Sequence, residues 1–220
     1  MRAQLARDLK LAWRTGGGLS HSLIFFLIFG ILMVLGNRPE LEQIHGSAIG
    51  LIWFGLLFAS LLNVDFAFRQ DFDDGTYERL AVSPLPLEMV LFAKILLHYL
   101  TTCLPLVCLA PLMGIAFDLS PASCGHLFLS LAVGTPAISA IGGFGAILGA
   151  GIRRSALLQS LLSLPLCIPT LVFGAAAVPV GALTERHGIA LAVVACLSLA
   201  SLAMIPPAAA YALRALLGDE

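Results

Sequence analysis

The 220-residue chain is 59% hydrophobic, only 11% charged and carries a formal net charge of −1. Its mean hydropathy of +0.97 lies far above that of soluble domains, and its balanced charge argues against a nucleic-acid-binding surface. The composition therefore predicts a polytopic membrane protein and excludes a soluble enzyme.

The first predicted element is an amphipathic helix over residues 1–15. Leu5, Leu9 and Trp13 share one stripe of this helix, whereas its arginines and lysine lie mostly elsewhere. Such a helix lies on a membrane surface, where it either anchors the chain or contacts a soluble partner.

Six apolar runs follow, each long enough to cross a bilayer, which takes about 20 helical residues. In chain order they are Leu19–Gly36, Gly46–Val64, Met89–Phe117, His126–Ile152, Ala156–Val180 and Ile189–Leu213. The runs are continuous and lack the alternation of barrel strands, so helices are expected. The predicted fold is all-α, a single membrane domain over residues 1–220 with six transmembrane helices.

The basic residues predict the orientation of this bundle. With the N-terminus inside, Arg38 and Arg186 are external and all other lysines and arginines are cytoplasmic: Arg2, Arg7, Lys10, Arg14, Arg69, Arg79, Lys94, Arg153, Arg154 and Arg214. Because cytoplasmic segments of membrane proteins are enriched in these residues, both termini are expected in the cytoplasm.

The longest hydrophilic stretch is a predicted cytoplasmic loop over residues 65–88. Within it, Asp71-Phe72-Asp73-Asp74-Gly75-Thr76-Tyr77-Glu78-Arg79-Leu80 predicts a helix that stops and restarts, because Gly75 permits a turn and Thr76 can cap the next helix. Ser83-Pro84-Leu85-Pro86-Leu87 then ends that helix. The prolines, together with aromatic residues expected to be exposed, favour a rigid docking element over a solvated linker.

Two of the predicted spans contain residues that need a specific environment. Lys94 and His98 are four residues apart and face the same way on a helix. Lys94 can extend toward the cytoplasm, and a packed, hydrogen-bonded His98 is favoured over a ligand role. In the fourth span, Gly145 and Gly149 have the G-x-x-x-G spacing that allows close helix approach, within the chain or between two copies. The sequence predicts neither catalytic residues nor a metal site.

Several runs occur together in a characteristic order. The run Phe68-Arg69-Gln70-Asp71-Phe72-Asp73-Asp74-Gly75-Thr76-Tyr77-Glu78-Arg79-Leu80 is followed by Ser83-Pro84-Leu85-Pro86-Leu87, Ala93-Lys94, Gly134-Thr135-Pro136, Arg153-Arg154 and Leu164-Pro165-Leu166-Cys167-Ile168-Pro169. In this combination they closely resemble the cytochrome c maturation protein B family, also called heme exporter protein B. The resemblance covers essentially the whole chain, although other ABC-2-type permeases carry similar acidic turns.

This resemblance implies an ABC-2-type permease subunit of the bacterial inner membrane, present in two copies. Its expected partners are an ATP-binding subunit like cytochrome c maturation protein A, the membrane partners C and D and, indirectly, a periplasmic heme chaperone. The complex would use ATP to release the heme-loaded chaperone or to export heme, so heme is a substrate of the complex. ATP belongs on the partner, because this chain lacks a G-x-x-x-x-G-K-[ST] loop.

The resemblance also implies which residues couple to the ATPase subunit. They are Phe68, Arg69, Asp71, Phe72, Asp74, Gly75, Thr76, Glu78, Leu80, Pro84 and Pro86. Two alternatives stay open: the permease of another ABC-2-type exporter, and a passive membrane scaffold without a conformational cycle. An intramembrane enzyme has little support, since the spans show no Ser/His pair, His-Glu metal motif or facing Asp pair.

Overall fold

The computed structural model describes residues 17–36, 45–77, 86–149 and 155–218. Every regular element within these ranges is helical, so the predicted all-α fold is confirmed there. The amphipathic helix predicted over residues 1–15 lies outside the described residues. The helices are α1 (Gly17–Gly36), α2 (His45–Asp73), α3 (Leu87–His98), a π-helical segment (Tyr99–Cys103), α4 (Leu104–Ala116), α5 (Pro121–Gly149), α6 (Ser155–Ala176) and α7 (Glu185–Gly218).

Five helical stretches within the described ranges are long and apolar enough to cross a membrane. They are Leu19–Gly36, Gly46–Val64, Leu87–Ala116, Pro121–Gly149 and Glu185–Leu216. The remaining predicted span coincides with α6, whose apolar stretch, Leu161–Ala176, is shorter. The helix ends there because Val178 bonds back to Ala175 at 3.2 Å and precedes Pro179, which has no amide hydrogen and disfavours helical geometry before it. The chain is a multi-pass membrane protein.

α3, the π-helical segment and α4 form one continuous helix, Leu87–Ala116, called here the third membrane helix. It begins directly after Pro86, two residues before the predicted start. At its other end Asp118 adopts a left-handed φ of +57°, and Leu119 donates a hydrogen bond to the carbonyl of Gly114 at 3.0 Å. This is the bond pattern of a Schellman helix end, and it directs the chain into α5.

α5 is the central helix of the bundle and packs against α2, the third membrane helix, α6 and α7. It starts as Ser120 Oγ accepts a hydrogen bond from the amide of Ser123 at 3.1 Å, a helix N-cap. The ring of Trp53 on α2 is fully buried and lies between Gly134 on α5 and Gly174 on α6. Small residues let these helices approach closely. In lipid there is little hydrophobic force between helices, so van der Waals contact at such close approaches stabilises the packing.

α1 contributes less to the core and presents much of its surface outward. It packs chiefly on α2, and Phe26 is its fully buried anchor. Ile24, Ile28 and Leu32 are each more than half exposed. A helix with this distribution faces lipid or another membrane chain on its outer side.

Candidate coupling site

The hydrophilic stretch after the second span begins as a continuation of that helix. α2 runs through Asp73, so the loop predicted to start at Asp65 is helical for its first part. No glycine or proline interrupts residues 65–73, and a helix needs such a residue or a cap to end. The prediction of a loop start at Asp65 is therefore wrong.

The helix then turns at the residue that the sequence indicates. Gly75 has a φ of +63°, which glycine adopts without the cost that a Cβ atom imposes. The amide of Asp74 closes the last turn on the carbonyl of Gln70 at 3.0 Å, and the chain is helical again at Thr76 and Tyr77. The predicted stop and restart is present, and residues 71–77 are called the elbow from here on.

The described structure covers the predicted coupling residues unequally. Phe68, Asp71, Asp74, Gly75 and Thr76 are described with their side chains, and Pro86 lies exposed just before α3. The backbones of Arg69 and Phe72 lie in α2, while Glu78, Leu80 and Pro84 fall outside the described residues.

Two aromatic residues at the elbow, Phe68 and Tyr77, are buried. Phe68 is 1% exposed and Tyr77 is 2% exposed, so the expectation that they form an exposed docking surface is wrong. Phe68 is carried by the extension of α2 onto α5, where a Cβ atom at Gly143 would lie 2.8 Å from its Cζ atom. The elbow is therefore packed onto the bundle, and Asp74 is the exposed one of its two acidic residues whose side chains are described.

Lys94 of α3 lies beneath the elbow. Its ammonium group forms an ion pair with the carboxylate of Asp71, and the two side chains are 13% and 26% exposed. The Lys94 Nζ atom lies 5.1 Å from the ring centroid of Phe68 and 5.0 Å from that of Tyr77, within cation–π range. Lys94 thus contacts α2 and the elbow, whereas the sequence favoured a side chain that extends toward the cytoplasm.

A second ion pair lies at the same end of the bundle. Arg214 near the end of α7 donates to the carboxylate of Glu88 at 3.0 Å, and the side chains are 59% and 36% exposed. An exposed pair of this kind contributes about 0–1 kcal/mol. It joins the start of α3 to the end of α7.

The third membrane helix also carries a row of polar contacts inside the bundle. His98 Nδ1 lies 2.8 Å from Ser139 Oγ, and that hydroxyl donates to the carbonyl of Ile95 at 2.9 Å. Because Ser139 gives its hydrogen to Ile95, His98 donates from Nδ1. The predicted role of His98 as a packed, hydrogen-bonded residue is confirmed.

Two further contacts connect the π-helical segment to α2. Asn63 donates to the hydroxyl of Thr102, and Ser60 Oγ lies 3.2 Å from Cys103 Sγ. No pattern in the sequence indicates these contacts. A π-helical segment widens the turn and often occurs at functional sites; here it places two successive polar side chains against the same neighbouring helix.

The glycines predicted as packing positions lie on α5. A Cβ atom at Gly145 would collide with Ser163 Oγ and lie 3.2 Å from Gln159 Cγ, so α6 crosses closely at this point. Gly149 is buried at the end of α5. Within the described ranges this approach occurs inside one chain.

These features define a multi-pass helical membrane protein with a packed, charged elbow at one end of its bundle. Within the described residues, no group of three His, Cys, Asp or Glu side chains could hold a metal ion.

The family follows from comparison with known proteins. Residues 1–216 match the family model described as CcmB protein, and the chain belongs to this family. It is 47% identical over 214 residues to heme exporter protein B of Paracoccus denitrificans, covering 97% of this chain and 98% of the relative. The corresponding protein of Rhodobacter capsulatus is 45% identical over the same length, with coverage of 97% and 98%. That of Escherichia coli is 35% identical over 207 residues, or 94% of each chain. The resemblance noted in the sequence is thereby confirmed.

Proposed function

We propose that this chain is the permease subunit of an ATP-driven complex in cytochrome c maturation. The observation that carries the proposal is full-length membership of the CcmB family, together with relatives named heme exporter protein B. The complex would consist of two copies of this chain, an ATPase subunit like cytochrome c maturation protein A and the membrane partners C and D. Heme is its substrate, either exported or released with a periplasmic heme chaperone.

The proposed orientation places the elbow in the cytoplasm of a bacterial inner-membrane protein with six spans. α5 ends at Gly149 and α6 begins at Ser155, and in the proposed topology these two helix ends share the elbow's end of the bundle, because successive helices alternate in direction. Arg153 and Arg154 stand between them in the sequence. Arg214 lies at that end too, next to Glu88. Concentration of basic residues at one end supports a cytoplasmic assignment.

The elbow is the proposed contact with the ATPase subunit. A docking element must be rigid to transmit motion, and the buried rings of Phe68 and Tyr77 hold this one to the bundle. Asp74 is exposed beside Gly75, where its carboxylate can meet a basic groove on a partner. The family motif runs through these same residues, which also supports their role.

Charge reversal at Asp74 tests the docking. Asp71 is unsuitable because its reversal would also break the pair with Lys94. In a strain that lacks the native permease, Asp74→Lys should lower both the recovery of the ATPase subunit with the purified complex and the yield of heme-bound cytochrome c by about tenfold, equivalent to about 1.4 kcal/mol of binding.

Glu185→Lys is the matched control, because Glu185 is an exposed acid at the opposite end of the bundle. It should leave both readouts unchanged. Normal ATPase recovery and normal cytochrome yield with Asp74→Lys would contradict the docking role. If the chain were a passive scaffold, elbow substitutions would leave both ATPase binding and the ATP hydrolysis rate of the complex unchanged.

A further inference from the structure

Lys94 has partners on both sides of the turn in the elbow. Phe68 and Asp71 precede Gly75 in α2, whereas Tyr77 follows it, and all three contact the same ammonium group. The side chain that makes these contacts belongs to neither segment, because Lys94 is in the third turn of α3. One cation therefore joins the end of α2, the restart of the chain and the third membrane helix.

The environment of this cation makes it a poor choice for stability alone. Its side chain is 13% exposed, and removing a charge from water costs about as much as a single buried ion pair returns. An apolar residue of similar length would pack between two aromatic rings without that cost. The ion pair instead fixes the position of the elbow relative to α3, because the ammonium group must contact Asp71 and both rings at once.

Movement of Lys94 would also shift residues deeper in the bundle, because further contacts lie along the same helix face. One turn further along the same face, His98 is hydrogen-bonded to Ser139 of α5. The next contact, from Thr102 in the π-helical segment, is with Asn63 of α2. The face of the third membrane helix that holds the elbow thus continues into contacts with two other helices.

We propose that Lys94 is the positioning residue that locks the elbow to the third membrane helix, so that force applied at the elbow reaches the membrane bundle. This inference rests on the proposed function, since it assumes that a partner moves the elbow. The proposed role of Lys94 differs from docking, because its side chain is largely buried between the elbow and α3 and does not belong to the exposed docking surface. Loss of Lys94 should therefore leave docking of the ATPase subunit intact and impair transmission of force from the elbow to the membrane bundle.

The test compares Lys94→Met with the charge exchange Asp71→Lys/Lys94→Asp, in the complete complex. Lys94→Met keeps the length and removes the charge. It should lower the yield of heme-bound cytochrome c per molecule of complex by about tenfold, within the usual range of a coupling between two sites, while ATPase recovery stays within about twofold of wild type. The exchange variant should raise the yield to about threefold above that of Lys94→Met, because it rebuilds the ion pair with its partners reversed. Recovery should stay incomplete, because the carboxylate at position 94 then lies against the rings of Phe68 and Tyr77, which favour a cation.

Arg214→Met is the matched control, since it breaks an exposed ion pair at the same end of the bundle. It should leave the yield unchanged. A Lys94→Met complex with wild-type yield per molecule would overturn the inference, as would a fall in yield that only mirrors a fall in protein amount. If Lys94→Met fails to accumulate, the exchange variant decides: a yield per molecule of at least about a third of wild type supports the lock, and a tenfold loss contradicts it. Failure of the wild-type chain to recover any ATPase would instead refute the proposed function.

Discussion

The ring of Phe68 lies directly against the backbone of Gly143, so that a Cβ atom at Gly143 would come within 2.8 Å of the Phe68 Cζ atom. Phe68 is 1% exposed, and the Lys94 Nζ atom lies over its ring, 5.1 Å from the ring centroid. The ring therefore fills the space between the base of the elbow and the central helix. Its position depends on the absence of a side chain at residue 143.

Gly143→Ala should reduce the stability of the bundle by about 1–3 kcal/mol, the usual cost of overpacking a tightly packed site. Thermal unfolding of the detergent-purified protein measures the effect. Gly125→Ala on the same helix is the control, because its Cβ atom would meet nothing within 4 Å. That substitution should leave stability unchanged or raise it by up to about 1 kcal/mol through helix propensity. Equal behaviour of the two variants would show that Phe68 does not pack at Gly143.

Gly75 should resist substitution for a conformational reason. Its φ of +63° costs a residue with a Cβ atom about 1–2 kcal/mol, so Gly75→Ala should lower the unfolding temperature. Gly75→Asn should lower it less, since asparagine tolerates this region better. Gly50→Ala, in a regular helix with open space around the new Cβ atom, should not destabilise the protein. A destabilisation by alanine no greater than that by asparagine would contradict the left-handed turn.

The hydrogen bond between His98 and Ser139 predicts a measurable coupling between these residues. Ser139→Ala would leave the buried Nδ1–H group of His98 without an acceptor, at a cost of about 1–3 kcal/mol. The same substitution in a His98→Leu background should cost about 1 kcal/mol less, because no donor is then left unsatisfied. A double-mutant cycle of unfolding free energies measures the difference. Additive effects would contradict the contact at 2.8 Å.

Much of the bundle could be predicted from the sequence because membrane spans follow from local composition. Continuous apolar runs identify the helices, and Gly75 identifies the turn in the elbow through a property of one residue. The G-x-x-x-G spacing at Gly145 likewise indicates where a helix can approach closely. These features need no knowledge of which helices are neighbours.

The contacts around the elbow could not be predicted in the same way. A hydropathy pattern ends the second span where the acidic residues begin, yet α2 continues to Asp73 and thereby places Phe68 on α5. The partners of Lys94 lie on another helix and on the far side of a turn. Such pairings depend on helix neighbours, and the spacing of charges along the chain does not contain them. The same holds for Asn63 and Thr102.

The proposed function requires the elbow to face the cytoplasm and to bind the ATPase subunit there. The most direct test is labelling of an Asp74→Cys variant with a membrane-impermeant thiol reagent. The matched control is Leu183→Cys, an exposed position in the connection between α6 and α7. The wild-type chain controls for its own cysteines, which lie within helices.

The thiol introduced by Asp74→Cys should react in inverted membrane vesicles, be protected when the ATPase subunit is bound, and stay unlabelled in intact spheroplasts. The thiol introduced by Leu183→Cys should show the opposite sidedness. Labelling of the Asp74→Cys variant from outside intact spheroplasts would contradict the account, because an elbow on that face cannot reach a cytoplasmic ATPase.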